Sequence, residues 1–321
     1  MNSSMQWSKF KPFLSTATVQ KCLERNYERL EIPKASECSY QNSYQLTYCI
    51  MHAENFFQQG TGAPVSLKPI LYFYGLVQLI KASILTIDPY YPETSSVLAH
   101  GVSTRKRKKQ QYQFLEDEVK IQKNGLYAHA CFKLFDLKGV EADKFSMHSL
   151  MKKIPEMQET FFLLMGQASL IPVHYKQNHL FVPSKLADYY HITPGRLSEY
   201  LSKELNLSQE TENDTEEMLA FKIERMINPF YSKKLMYNQQ LNHFALPLSK
   251  EDFYPLPELL SHYLLLYNLS MISRYETEWW YDLLLSHSND DLIYISSFLE
   301  ITEEKIPFLM WSYLGGLLEK K

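Results

Sequence analysis

Residues 70–87 read ILYFYGLVQLIKASILTI and are apolar on nearly every side of the helix that their spacing predicts. Ile70, Phe73 and Val77 begin one apolar stripe, while the leucines at positions 71, 76, 79 and 85 cover another face. A helix that is apolar nearly all round belongs in the interior of a protein. Asp88 and Pro89 then end the pattern, because proline cannot continue a helix. We therefore predict a central buried helix.

Further helical patterns lie on both sides of this segment in the sequence. Before it, apolar spacing predicts helices over residues 17–30 and 37–59, the second with a helically spaced set made of Tyr40, Tyr44, Tyr48 and Met51. After it, the same reasoning predicts helices over residues 161–168, 193–205, 218–227, 257–274 and 303–318. Thr193 and Pro194 suit a helix start, since threonine caps and proline fits the first helical position.

Two segments favour β structure instead. Residues 112–134 hold two apolar runs separated by Lys123, Asn124 and Gly125, and Asn-Gly between such runs is a strong hairpin signal. Residues 171–182 predict a second small hairpin, because polar residues stand between two apolar ends. The expected fold class is therefore mainly α: a multi-helix globular body with one or two short β-hairpins.

The domain organisation follows from one polar segment. Residues 207–215 are polar and acidic, and we predict an exposed acidic loop there. It would separate an N-terminal helical region with a β-hairpin, residues 1–206, from a C-terminal helical region, residues 216–321. We expect the two regions to pack as one body. The net charge is only −3, although the chain contains a basic run at 105–109 and an acidic run at 208–217, because these two runs largely cancel.

Composition and motif searches exclude several kinds of catalytic site. Only 10 of 321 residues are glycine, against about 7% in typical proteins, which argues against glycine-rich phosphate loops. The chain has no P-loop, no H-E-x-x-H zinc motif and no G-x-S-x-G nucleophile elbow. No arginine precedes a histidine at the spacing found in HEPN-type helical ribonucleases. We therefore predict no catalytic residues, no metal site and no cofactor.

The expected compartment is the cytoplasm. The four cysteines have no C-x-x-C spacing and are too few for a disulfide framework. The first residues lack the charged-then-apolar order of a signal peptide. The two longest apolar stretches are interrupted by residues such as Lys81 and Glu258, so we expect no membrane span.

A first candidate site for an anion or a partner is the segment HGVSTRKRKK, residues 100–109. A turn glycine, hydroxyl groups and five consecutive cations can together hold a phosphate or a carboxylate. The residues assigned to it are His100, Gly101, Ser103, Arg105, Lys106 and Arg107. The alternative is a solvated basic loop. Nucleic-acid binding is not expected, because the charges are consecutive rather than spread over a face and the pI is 6.4.

A second candidate site surrounds Arg274 and Tyr275, near Trp279 and Trp280. An arginine at the end of an apolar helix can stack on aromatic rings and present its guanidinium to a carboxylate. The alternative is that Arg274 caps the last carbonyls of its own helix while the tryptophans fill the core.

Several segments resemble the YaaC-like family of Bacillus and related Firmicutes. They are YFYGL at 72–76, Lys81-Ala82, His100-Gly101, HYLLL at 262–266 and LSMISRY at 269–275. The resemblance extends from about Trp7 to the C-terminus and supplies no catalytic residues. Because genes of this family often lie near the gene for IMP dehydrogenase, the resemblance implies that enzyme as a first partner to test.

Two functions remain open from the sequence. The leading one is a cytoplasmic, non-enzymatic interaction or regulatory protein, since none of the catalytic motifs considered above is present in the sequence. The alternative is a HEPN-like helical enzyme that acts on RNA or a nucleotide through the segment from His100 to Lys109. An enzyme should hold His100 or another perturbed titratable group in a cleft, whereas an interaction protein should expose an apolar patch or groove.

Overall fold

The computed structural model describes residues 3–104, 112–140, 143–210, 214–287 and 289–319. In chain order, the helices are α1 Ser3–Ser8, α2 Thr16–Arg29, α3 Ala35–Gly62, α4 Lys68–Leu85, α5 Leu126–Phe135, α6 Met147–Met151, α7 Gln158–Met165, α8 Leu186–Tyr189, α9 Pro194–Leu205, α10 Glu258–Tyr275, α11 Thr277–Ser286 and α12 Asp291–Leu314. The strands are β1 Val102–Thr104, β2 Glu118–Ile121, β3 Lys144–Ser146, β4 Leu170–Lys176, β5 His179–Pro183, β6 Ser208–Gln209, β7 Met218–Lys222, β8 Met236–Asn238 and β9 His243–Pro247. Helix accounts for 58% of the structure, which confirms the mainly α class.

The chain divides into two compact units. Unit 1 comprises residues 1–150 and 259–321, and unit 2 comprises residues 151–258. The predicted boundary at residues 207–215 therefore falls inside unit 2. Within that segment, β6 pairs with β7, whereas residues 211–213 lie outside the described residues.

Helix α4 is the central helix of unit 1, as its sequence predicts. It packs against α3 and α12, and its residues between Tyr72 and Leu85 are mostly buried. The two helices α3 and α4 approach closely at Gly75, where an added Cβ would lie 2.7 Å from Cδ2 of Phe57. The absence of a side chain at Gly75 thus lets the two helices pack tightly.

The predicted hairpin at 112–134 is wrong. Strand β2 forms there, but it pairs with β1 and β3 in a three-stranded antiparallel sheet, and residues 126–135 form α5. Gly125 has φ 128° and crosses closely over Gly101, and the amide of Leu126 donates to the carbonyl of Ala99 at 2.7 Å. Gly125 therefore lies where the backbone passes close to Gly101 just before α5 begins, and not in a turn between two strands.

Unit 2 contains a six-stranded antiparallel sheet in the order β6-β7-β5-β4-β9-β8. The predicted hairpin at 171–182 is confirmed as β4 and β5, joined by Gln177 and Asn178, which both have positive φ as a type I′ turn requires. The sheets are larger than one or two hairpins. The helix predicted over 218–227 is wrong, since β7 forms there and buries Leu219 and Phe221 in the core of the unit.

The long helix near the C-terminus also starts earlier than its sequence indicates. Helix α12 begins at Asp291 rather than at Glu303 and contains Pro307 in its interior. Helix α10 matches its predicted range closely. All four cysteines are buried, and none forms a disulfide within the described part of the chain. None of the helices in the described ranges combines the length and the apolar character needed to cross a membrane.

Candidate functional site

The two segments singled out from the sequence meet in unit 1, and Tyr74 of α4 joins them. The rings of Tyr74 and His100 lie 6.1 Å apart between centroids. The hydroxyl of Tyr74 accepts a 3.4 Å hydrogen bond from Nη1 of Arg274 at the end of α10. We call the group formed by His100, Arg274, Tyr74 and Lys81 the basic centre.

The backbone at His100 is held by two other elements. Its carbonyl accepts hydrogen bonds from the hydroxyl of Tyr263 at 2.9 Å and from the amide of Tyr127 at 3.2 Å. Gly101 follows with φ 76°, a conformation that glycine adopts without strain. The start of α5 and the middle of α10 therefore fix the backbone position of His100.

The His100 imidazole is half-buried among aromatic rings. Phe73 and Tyr267 contact it edge to face, with centroids 4.9 and 5.9 Å away. Its Nδ1 is buried and has no hydrogen-bond partner among the described residues. Burial is the main cause that lowers the pKa of His100, and the positive charges of Arg274 and Lys81 lower it further. The imidazole is therefore neutral at pH 7 and adds no third charge to the centre.

Arg274 divides its hydrogen bonds between its own helix and the basic centre. Nε donates to the carbonyl of Ser270 at 3.0 Å, so the capping alternative is realised in part. The guanidinium also lies over the ring of Tyr275, 5.2 Å from its centroid. In the described parts of the chain, Arg274 has no carboxylate within ion-pair distance. Its charge is therefore not neutralised by a neighbour.

Lys81 supplies the second permanent charge. It is half-buried and lies on the same face of α4 as Tyr74 and Gln78, because these three residues occupy positions i+7, i and i+4 respectively. Its charge acts on His100 and on the thiol of Cys49. No ion-pair partner of Lys81 occurs among the described residues. Two cations without carboxylates beside a neutral imidazole form a site suited to an anion.

The remaining predicted site residues do not all join this centre. The Ser103 hydroxyl lies in β1 and accepts a 2.6 Å hydrogen bond from Nε2 of Gln122. Tyr275 is 66% exposed. Arg105, Lys106 and Arg107 lie outside the described residues. Trp280 is fully buried, as the core alternative for the tryptophans expects.

Helix α3 carries a surface that the sequence analysis did not assign to function. Its buried face combines small and polar residues such as Ser39, Ser43 and Ala53 with the apolar Leu46, Ile50 and Phe57. Its tyrosines face outward. A shallow groove of about 600 Å³ runs along this outward face. Its lining, which we call the α3 groove, consists of Gln41, Tyr44, Gln45, Tyr48, Cys49, Met51, His52, Asn55 and Gln78.

A sequence signal for this surface was present. Aromatic or imidazole rings recur at every fourth position of α3, which we call the ring ladder: Tyr40, Tyr44, Tyr48, His52 and Phe56. The tyrosines are 62%, 48% and 59% exposed. A helically spaced apolar stripe normally marks a buried face, so the spacing alone pointed to the core.

Two further clusters contain buried ionisable groups. In unit 1, the buried Asp88 carboxylate lies 2.8 Å from Nζ of Lys133 and 3.6 Å from Nε2 of His129. In unit 2, Lys153 is 1% exposed, and its Nζ donates to the carbonyls of Tyr254 at 2.9 Å and Lys233 at 3.3 Å. Burial lowers the pKa of Lys153 to about 7. Both clusters have internal partners, which suits a structural role.

Comparison with known proteins identifies the family of the chain but no close relative. A search among curated proteins and a search among solved structures returned no similar protein. Groups of three or more residues able to hold a metal ion are absent from the described ranges. The family model described as YaaC-like protein matches residues 11–314, nearly the whole chain. The chain therefore belongs to the YaaC-like protein family, as the motifs around Tyr72, His100 and Arg274 indicate.

Proposed function

We propose that this protein is a cytoplasmic interaction or regulatory protein whose basic centre binds an anionic group. The observation that carries the proposal is the position of Arg274 beside Tyr74 and His100, with no carboxylate paired to it among the described residues. An anion placed there would receive hydrogen bonds from a guanidinium, the strongest type for phosphate or carboxylate. The α3 groove adds the exposed apolar surface expected of an interaction protein.

IMP dehydrogenase is the first protein to test as the bearer of the anionic group. Its support is the family context alone. Immobilised IMP dehydrogenase should bind the wild type and bind the Arg274→Gln variant more weakly. The matched control is Arg196→Gln, which removes an exposed arginine of α9 in unit 2. Equal binding of all three proteins would contradict a role for the basic centre in this contact.

The alternative, a HEPN-like enzyme acting on RNA or a nucleotide, has one observation in its favour. Nδ1 of His100 has no partner among the described residues, and the lowered pKa keeps the imidazole neutral, as a general base requires. Cleavage of RNA or a nucleotide by the wild type, lost in a folded His100→Ala variant, would favour this enzyme over the proposed function.

The direct test of the proposed function uses inorganic phosphate and the His100 ring as a reporter. A bound anion favours the protonated imidazole, so phosphate should raise the pKa of His100 measured by NMR. In Arg274→Gln, the phosphate concentration needed for this response should rise by at least about tenfold, because one charge-assisted hydrogen bond contributes about 1.5–3 kcal/mol. A His100 pKa that does not respond to phosphate, with chloride as the control anion, would contradict the proposal.

A further inference from the structure

Two pairs of rings in the ring ladder are in contact, and its last ring, Phe56, reaches the basic centre. The five rings of the ladder span sixteen residues of α3, or about 24 Å along the helix axis. Ring centroids lie 6.2 Å apart between Tyr44 and Tyr48 and 4.5 Å apart between His52 and Phe56. Phe56 then stacks on Tyr74, 6.0 Å away at an interplanar angle of 26°. Tyr74 belongs to the basic centre, so the two features form one surface.

The α3 groove beside the ladder offers hydrogen-bonding groups without internal partners. Four side-chain amides line it: Gln41, Gln45, Asn55 and Gln78. No hydrogen bond to these amides, or to the hydroxyls of Tyr44 and Tyr48, occurs within the described residues. Amide side chains match the donor and acceptor edges of nucleobases, and aromatic rings stack on base faces.

The charge of this surface is compatible with phosphate. Among the residues that the structure describes, no Asp or Glu lines the groove. Of the two carboxylates of α3, Glu37 forms an ion pair with Lys34 and Glu54 accepts a hydrogen bond from the amide of Gln58, and neither is among the lining residues. Lys81 lies three residues after the lining residue Gln78 on α4, and Arg274 lies at the Tyr74 end of this surface. The surface therefore combines stacking rings, free amides and two unpaired cations.

We infer that the ring ladder and the basic centre together bind a short segment of single-stranded nucleic acid. Unpaired bases would stack on the exposed rings of α3, and backbone phosphates would contact Lys81 and Arg274. A partner helix fits less well, because helix-binding grooves are hydrophobic, whereas four of the described lining residues carry side-chain amides and Met51 is the one aliphatic side chain among them. The sequence analysis does not expect nucleic-acid binding, because the charges at 105–109 are consecutive. The inference differs from that expectation because it rests on this other surface.

The inference goes beyond the proposed function and rests on it in one respect, namely that the basic centre accepts a phosphate group. With about two phosphate contacts, binding should be modest and only weakly dependent on salt. The slope of log K against log salt should be about −1.4 for a single strand, since each phosphate contact contributes about −0.7. Arg274→Gln should reduce this slope by about half.

The test is fluorescence anisotropy with a labelled, unstructured RNA of about 12 nucleotides, a length within the usual range for single-strand sites. A DNA strand of the same sequence and the matching RNA duplex are measured in parallel. The wild type should bind a single strand at least tenfold more tightly than the duplex, because paired bases offer no faces for stacking. The double variant Tyr44→Ser, Tyr48→Ser should lose at least about tenfold in affinity, the effect of one lost base stack.

The control variants remove equally exposed tyrosines of unit 2, Tyr189→Ser and Tyr231→Ser, which are 53% and 48% exposed in the wild type. They should bind the strand as the wild type does. Equal binding of strand and duplex, or unchanged binding by a folded ladder variant, would overturn the inference. So would a failure of the wild type to bind either single strand.

Phosphate titration distinguishes failure of the nucleic-acid inference from failure of the proposed anion site. If phosphate raises the pKa of His100 but no single strand binds, the nucleic-acid inference is wrong and the anion site stands. If the ladder variant instead loses binding to IMP dehydrogenase while no strand binds, the surface is a protein interface and the inference is overturned. If neither phosphate nor a strand binds, both proposals are wrong.

Discussion

Replacing Gly75 by alanine should destabilise unit 1, although alanine is the better helix former. In a helix interior, alanine is favoured over glycine by about 0.5–1 kcal/mol. The added methyl group, however, would lie 2.7 Å from Cδ2 of Phe57. Phe57 is fully buried between the rings of Tyr72 and Trp7, with centroids 5.1 and 5.4 Å away, so it cannot move aside freely.

Overpacking of this kind costs about 1–3 kcal/mol, so the net loss of unfolding free energy should be about 1 kcal/mol. Urea unfolding followed by tryptophan fluorescence measures it selectively, because the four tryptophans all belong to unit 1. The control is Gly62→Ala, also at the α3–α4 pair, where an added Cβ meets nothing within 4 Å. This control should not lose stability.

A double-mutant cycle tests the reasoning itself. In a Phe57→Leu background the ring that opposes the methyl group is gone, so Gly75→Ala should cost nothing or become stabilising. If Gly75→Ala is as stable as the wild type, or if its cost is unchanged in the Phe57→Leu background, the close α3–α4 contact does not limit packing and the argument is refuted.

Two further predictions concern buried groups. Ile80→Asp places an unpaired charge at a position of α4 that is 1% exposed, so it should remove several kcal/mol of stability and yield insoluble protein. Normal expression and an unchanged melting temperature would contradict the central position of this helix. Lys153 has a folded-state pKa of about 7, while the unfolded chain keeps this proton up to about pH 10.4, so stability should rise with pH across that interval. Lys153→Met should reduce this rise in stability. The rise is measured as the difference between the urea unfolding midpoints at pH 7 and pH 9, followed by far-UV circular dichroism. An unchanged difference would show that Lys153 does not cause it.

The long helices α3, α4 and α10 were predictable because each carries a regular apolar pattern over many turns, whereas the first twelve residues of α12 were not predicted as helix. Helices α4 and α10 match their sequence-based ranges within a few residues. Short elements were harder, since their local signals compete with tertiary contacts. Asn124-Gly125 is a good hairpin signal, yet Gly125 is needed where the chain crosses Gly101, and the crossing determines the structure.

The candidate site was predictable only in pieces. The sequence singles out His100 and Arg274 separately, but their proximity depends on Tyr74, which sequence analysis places in a core helix. The exposure of the ring ladder was not predicted, for a different reason. Periodicity identifies a face of a helix without telling which face is buried, and α3 buries its small residues because they permit close packing with α2 and α4.

The interrupted order of unit 1 has a consequence for its synthesis on the ribosome. Helices α1 and α4 pack against α12, whose residues are translated only after all of unit 2. At about 5–20 residues per second, the roughly 110 residues of unit 2 delay that contact by about 5–20 s. During this interval the apolar surface of α4 that α12 later covers stays exposed on the nascent chain. Unit 2, whose residues are consecutive, has the opportunity to fold first, and the early part of unit 1 is the segment on which a chaperone would act.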